Sequence, residues 1–146
     1  MEDLSINWIA IVVAAIVPIL TGFIWYHTKV FGIAWMRESG MTEEKAKQMN
    51  PAKTFGLAIV CAFLIALFLW PQVFTGGGPG EPHGVDPYVT FKHGAFHGVL
   101  IAVFLVLPIF GTNALFEQKS FKYVAINVGY WIVTLALMGG IINAWV

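Results

Sequence analysis

Ala58-Ile59-Val60-Cys61-Ala62-Phe63-Leu64-Ile65-Ala66-Leu67-Phe68-Leu69 is apolar at every position. A helix of a soluble domain keeps a polar face for water, whereas one that is hydrophobic all round is buried or lies in lipid. Extended outward, the stretch belongs to an apolar run over residues 51–70. That is long enough to cross roughly 30 Å of hydrocarbon at about 1.5 Å rise per residue. Runs over residues 6–26, 94–116 and 123–145 have the same reach. Of the 146 residues, 58% are hydrophobic and 11% charged, and the mean hydropathy is +0.77. A soluble four-helix bundle needs polar outer faces that these runs do not have. The fold class that follows is all-α and integral to the membrane: four transmembrane helices in an antiparallel bundle, with a short amphipathic cytoplasmic helix, as a single domain over residues 1–146.

The first run is read as a span and not as a signal peptide, because Glu2 and Asp3 stand where a basic region is required and no small-residue cleavage site ends it. The basic residues orient the bundle. Lys29, Arg37, Lys45, Lys47 and Lys53 lie between the first and second spans, Lys119 and Lys122 between the third and fourth, and Lys92 between the second and third. By the positive-inside rule the first and third connections are cytoplasmic and both termini are outside. Trp8, Trp25, Trp70, Tyr123 and Trp145 stand near the ends of the runs, as interfacial aromatic residues do.

In the first connection Phe31, Ala34 and Trp35 share a helical face, which predicts a short helix in the headgroup layer ending at Gly40. Thr42 is placed to cap a second short helix and Asn50-Pro51 to open the second span. The second connection, Thr75-Gly76-Gly77-Gly78-Pro79-Gly80-Glu81-Pro82-His83-Gly84, predicts an irregular external loop. The third is short. Asn113 and Asn127 stand seven residues either side of Ser120, level with each other in a hairpin, as do Glu117 and Tyr123. A polar contact at this end, drawing on Asn113, Glu117, Asn127 and Tyr130, is expected. Pro18 and Pro108 should kink the first and third spans and free the carbonyls of Ala14 and Phe104.

For chemistry, the interior of the spans is poor in candidates. No Asp, Glu, Lys or Arg lies mid-span, and coupled transport usually requires one. There is no Ser-His-Asp set, phosphate loop or CxxC pair, and Cys61 is the single cysteine. Eight basic residues balance eight acidic ones, so nothing points to nucleic acid. The sharpest constellation is Lys92-His93-Gly94-Ala95-Phe96-His97-Gly98. Histidines at i and i+4 share a helix face and can chelate a divalent metal, with His83 and Asp86 of the preceding loop completing a ligand set. Against that reading, Gly94 and Gly98 form a GxxxG pair that brings helices together, and histidines beside it serve as helix contacts. The second reading is preferred, and no cofactor is expected. Ala58, Ala62 and Ala66, and Gly140 with Ala144, make further small-residue faces suited to close packing within or between copies.

Ile6-Asn7-Trp8, Trp25-Tyr26, Phe31-Gly32-Ile33-Ala34-Trp35-Met36 and Gly40-Met41-Thr42-Glu43-Glu44 resemble the first half of a bacterial membrane family, the domain of unknown function numbered seventeen sixty-one. Asn113-Ala114-Leu115-Phe116-Glu117, Ser120-Phe121-Lys122 and Ile126-Asn127-Val128-Gly129-Tyr130-Trp131 resemble its second half. The resemblance implies a small multispan protein of the bacterial cytoplasmic membrane and assigns no activity. Together these readings favour a non-enzymatic structural or accessory component that contacts membrane lipid and self-associates. The alternative is a metal-binding or small-ligand module built on His93 and His97.

The orientation is directly testable. In intact cells, a cysteine at Gly78 should react with an impermeant reagent and one at Glu44 should be protected; the reverse pattern inverts the topology.

Overall fold

A computed structural model describes residues 6–73 and 88–145. Among them the regular structure is helical. The order is α1 (Trp8–Trp25), a π-helical turn (Thr28–Gly32), α2 (Ile33–Ser39), α3 (Glu43–Lys47), α4 (Pro51–Val73), α5 (Phe91–Ile101), a π-helical segment (Ala102–Val106), α6 (Leu107–Phe116) and α7 (Phe121–Ala144). Four helical stretches are long and apolar enough to cross a membrane: α1, α4, the continuous run Phe91–Phe116, and α7. The Thr75–Gly84 loop, with His83 and Asp86, lies outside the described residues.

α1, α3, α4, α5 and α7 each begin where a capping side chain stands. Asn7 Oδ1 accepts from the amides of Ile9 and Ala10, Thr42 Oγ1 from Lys45, and Asn50 Oδ1 from Lys53. Thr90 Oγ1 accepts from His93, and Ser120 Oγ from Tyr123. These side chains satisfy amides that have no partner inside the helix. Gly40 ends α2 in the left-handed region at φ 75°, a conformation that costs glycine little.

The fourth span is the centre of the bundle. In its most apolar stretch 56% of residues are buried, against 11% for the third span, and α7 packs on α1, α4 and α5. Its longest contact is with α5, and that contact is between backbones. A Cβ built on Gly94 would stand closer than 3.0 Å to the Gly139 carbonyl, and one on Gly98 closer than 3.0 Å to the Leu135 carbonyl. A Cβ on Gly139 would meet the Gly94 carbonyl in turn, and one on Gly140 the Phe91 ring. Only glycine fits such an approach, which membrane helices use because lipid supplies no hydrophobic drive for helices to associate.

The fully buried side chains follow from this pinch. Ile11, Leu69, Val73, Met138 and Ile142 are at or near zero exposure and sit in the half of the bundle that holds the α5–α7 contact. Ala62 and Ala66 of α4 are buried there as well. The small-residue faces are thus used within the chain. The pairing of Gly140 with Ala144 gives way to Gly139 and Gly140, because Phe91 covers Gly140 while Ala144 is exposed.

The first connection folds back onto the end of α1 and the α6–α7 turn. Phe31 packs on Trp25 with ring centroids 4.6 Å apart, and Trp35 meets Tyr26 edge-on at 5.4 Å. Ser120 Oγ donates to Glu38 Oε2, and Lys119 Nζ donates to the Ser39 carbonyl at 3.2 Å. Of the face expected from Phe31, Ala34 and Trp35, the two aromatic rings meet the end of α1, and Phe31 stays partly exposed.

Pro108 leaves its mark one turn earlier. The Leu107 amide bonds to the Ala102 carbonyl, an i→i+5 bond that widens the helix just before the proline. Such a bulge absorbs the missing amide without breaking the span.

Gly98→Val should place methyls in the Leu135 backbone, which cannot yield as a flexible side chain would. A loss of about 1–3 kcal/mol or more is expected, read as a lower melting temperature in detergent. Gly111→Ala, where a Cβ meets nothing within 4 Å, should leave stability unchanged or slightly higher.

Candidate functional site

Polar side chains inside the spans gather in a seam between α1 and α7. The helices run antiparallel, and five contacts step along them. Asn7 Nδ2 donates to the Trp145 carbonyl at 2.6 Å. Tyr130 Oη donates to the Pro18 carbonyl at 2.8 Å. The hydroxyls of Thr21 and Thr134 meet at 2.8 Å. With Thr21 donating to the Val17 carbonyl at 2.9 Å, the proton between the two threonines belongs to Thr134. Trp25 Nε1 donates to the Ile126 carbonyl at 3.0 Å, and Tyr26 Oη to Asn127 Oδ1 at 2.8 Å. Gly22 and Gly129 make room, since a Cβ on Gly129 would already touch the Trp25 indole at 3.0 Å.

The donors reaching the Pro18 turn go to the Val17 and Pro18 carbonyls, not to the Ala14 carbonyl that the proline frees. The seam contains phenols, hydroxyls, one indole and two amides, with no carboxylate or amine. Each of these groups is engaged with a protein partner. The arrangement can hold two helices in register. It presents no nucleophile and base aimed at a common open space.

Asn127 lies at the expected depth but serves a different neighbour. Its Oδ1 takes the Tyr26 phenol and its Nδ2 donates to the Tyr123 carbonyl at 2.8 Å. Among the described residues no hydrogen bond joins it to Asn113, which is exposed. Counting from Ser120 fixes depth but not rotation about the helix axis, and α7 turns this amide toward α1. Glu117 is exposed at the end of α6, its amide bonded to the Asn113 carbonyl. Tyr130 joins the seam, with 8% of its surface exposed. Thr21, Tyr26 and Thr134 were not anticipated. Their signal was present: Tyr123, Asn127, Tyr130 and Thr134 recur at three- and four-residue steps, which is one face of a helix.

A second polar contact ties the opposite end of α7. Asn143, with no exposed surface, donates from Nδ2 to the carbonyls of Tyr88 at 2.7 Å and Thr90 at 2.8 Å. It thereby fixes the residues that lead into α5 and its histidines. His93 and His97 lie one turn apart, ring centroids 4.5 Å from each other, and the Tyr88 ring stands 5.2 Å from His93. Gly94 and Gly98 beside them carry the α7 contact. Among the described residues no third histidine, cysteine or carboxylate joins the pair.

A groove opens where the third span stands off from α4 and α7. Its volume is about 310 Å³, and Ile65, Phe68, Leu105, Ile109, Asn113 and Trp131 are among the side chains that line it. Asn113 therefore belongs to this groove. A second, wholly apolar hollow of about 460 Å³ lies between α1 and α4, lined by residues such as Val12, Ile16, Ile59 and Phe63.

The model of a family described as protein of unknown function (DUF1761) matches residues 9–143. No curated protein and no solved structure matches the chain.

A double-mutant cycle on Tyr26→Phe and Asn127→Leu in detergent should return a coupling of about 0.6 kcal/mol, the average for interhelical hydrogen bonds in a membrane protein. The pair Asn113→Leu and Asn127→Leu should be additive. Coupling in the second pair and none in the first would reassign the amide.

Proposed function

The chain belongs to the DUF1761 family, and on that premise we propose that it is a non-enzymatic component of the bacterial cytoplasmic membrane that self-associates, with both ends of the chain outside. The observation that carries the non-enzymatic reading is the state of the seam. Polar groups buried between α1 and α7 are committed to one another or to backbone carbonyls, and an unsatisfied group in hydrocarbon would be costly. A catalytic site keeps donors and acceptors for a substrate, and these are already used.

Self-association runs over the outward faces of α4 and the third span. Gly94, Gly98, Gly139 and Gly140, with Ala62 and Ala66 of α4, are taken up inside the chain. What remains outward is large and apolar: Leu57, Val60, Leu64, Phe104 and Leu115 are each at least half exposed. Within lipid this surface is not itself a drive to associate, so packing has to supply it.

Cys61, the single cysteine, is exposed on α4 and serves as a native reporter. Mild oxidation of the protein in native membranes is expected to give a disulfide-linked dimer, lost in Cys61→Ser. A chain that stays monomeric, both in this assay and by mass in lipid nanodiscs, would contradict self-association.

A further inference from the structure

We propose that the groove between α4, the third span and α7 is a binding site for one anionic phospholipid, drawn from the leaflet on the Lys119 side. Shape, polarity and charge carry this, and none of them depends on self-association.

The groove runs from Ile101 to Asn113 along the third span. The twelve rises between them cover about 18 Å, somewhat more than half of a hydrocarbon core of roughly 30 Å. That is the length of one leaflet, and so of one acyl chain. The walls are aliphatic and aromatic through Ile65, Phe68, Leu105 and Ile109. The π-helical segment Ala102–Val106 turns Leu105 and Val106 into this wall just ahead of Pro108.

Asn113 brings a side-chain amide to one end of the groove. Asn113 stands three residues before the end of α6 at Phe116, about 4.5 Å of rise. With Phe116 at the edge of the hydrocarbon, that is the depth at which an ester carbonyl of a phospholipid would sit, and the amide of Asn113 offers it a donor.

Charge lies just beyond. Phe110 of the groove packs on the Tyr123 ring at 5.6 Å, and Lys119 Nζ sits 5.5 Å from the centroid of the same ring. The ammonium is therefore two ring contacts from the groove. Its hydrogen bond goes to the Ser39 carbonyl. Glu38, the nearby carboxylate, receives the Ser120 hydroxyl. Lys119 is held in place by Gln118, which takes a left-handed φ of 56° and lets the Lys119 amide return to the Ala114 carbonyl at 2.8 Å. The two connections at this end carry seven basic residues against Glu38, Glu43, Glu44 and Glu117. A phosphate diester fits that excess, whereas a zwitterionic headgroup brings its own cation into it.

The test is native mass spectrometry of the full chain, purified in detergent and given phosphatidylglycerol or phosphatidylcholine with identical acyl chains. One saturable phosphatidylglycerol adduct is expected. Lys119→Gln should lower the preference for it about fivefold, the contribution of one lysine at a membrane surface. Leu105→Trp fills the groove at a position that is 44% exposed and so tolerant of a larger side chain. It should remove the adduct while the melting temperature holds. Equal retention of the two lipids by the unaltered protein would overturn the proposal. So would an adduct that survives Leu105→Trp, or a lipid-free dimer seated on this face.

Discussion

The contact of two backbones at Gly94, Gly98 and Gly139 is the constraint on which the rest of the bundle depends. In lipid, helices gain nothing by hiding apolar side chains from a solvent that is itself apolar, so close packing and hydrogen bonds must hold them together. Three glycines let the α5 and α7 carbonyls approach to a distance that any Cβ would forbid. Backbone Cα–H groups can then face carbonyls across the interface, a weak interaction that recurs at such crossings. Pinned there, α7 becomes the axis against which α1 and α4 pack, and the buried side chains collect at that end.

The opposite half of the bundle follows a different rule. Between α1 and α7 the glue is polar, with Thr21, Trp25, Tyr26, Asn127, Tyr130 and Thr134 bonding across or into the facing helix. The third span has no glycine contact in this half; Gly111 faces open space. It leans on α7 through larger side chains such as Phe110 on Tyr123. A helix pinned by glycines at one end and propped by aromatics at the other leaves a gap between, and the groove is that gap. The π-helical turn ahead of Pro108 lies along it, so the helix is locally widened beside the groove.

Much of this was legible from residues alone, and the reasons are physical. The spans follow from apolar length, the starts of α3 and α4 from Thr42 and Asn50, and the α5 contact from Gly94 and Gly98, each a local rule with a local cause. What stayed hidden was rotation. Position along an antiparallel hairpin sets the depth of Asn113 and Asn127, but only packing decides which way each amide turns, and Tyr26 of α1 captured Asn127. The partner of a small-residue pair is likewise a tertiary fact: Gly139 was found opposite Gly94 because two helices cross there. The groove left no mark in the sequence, since it is made of side chains from three spans that share no local pattern.

The contact between α5 and α7 can be seen directly by solid-state nuclear magnetic resonance of uniformly labelled protein in lipid bilayers. With the two spans crossing at their backbones, a through-space correlation between Gly94 and Gly139 is expected, although the residues are far apart in sequence. It should vanish in Gly98→Val if the crossing is the pin that holds the spans together. Resolved signals for both glycines with no correlation between them would contradict the crossing, and with it the account of how the core and the groove arise.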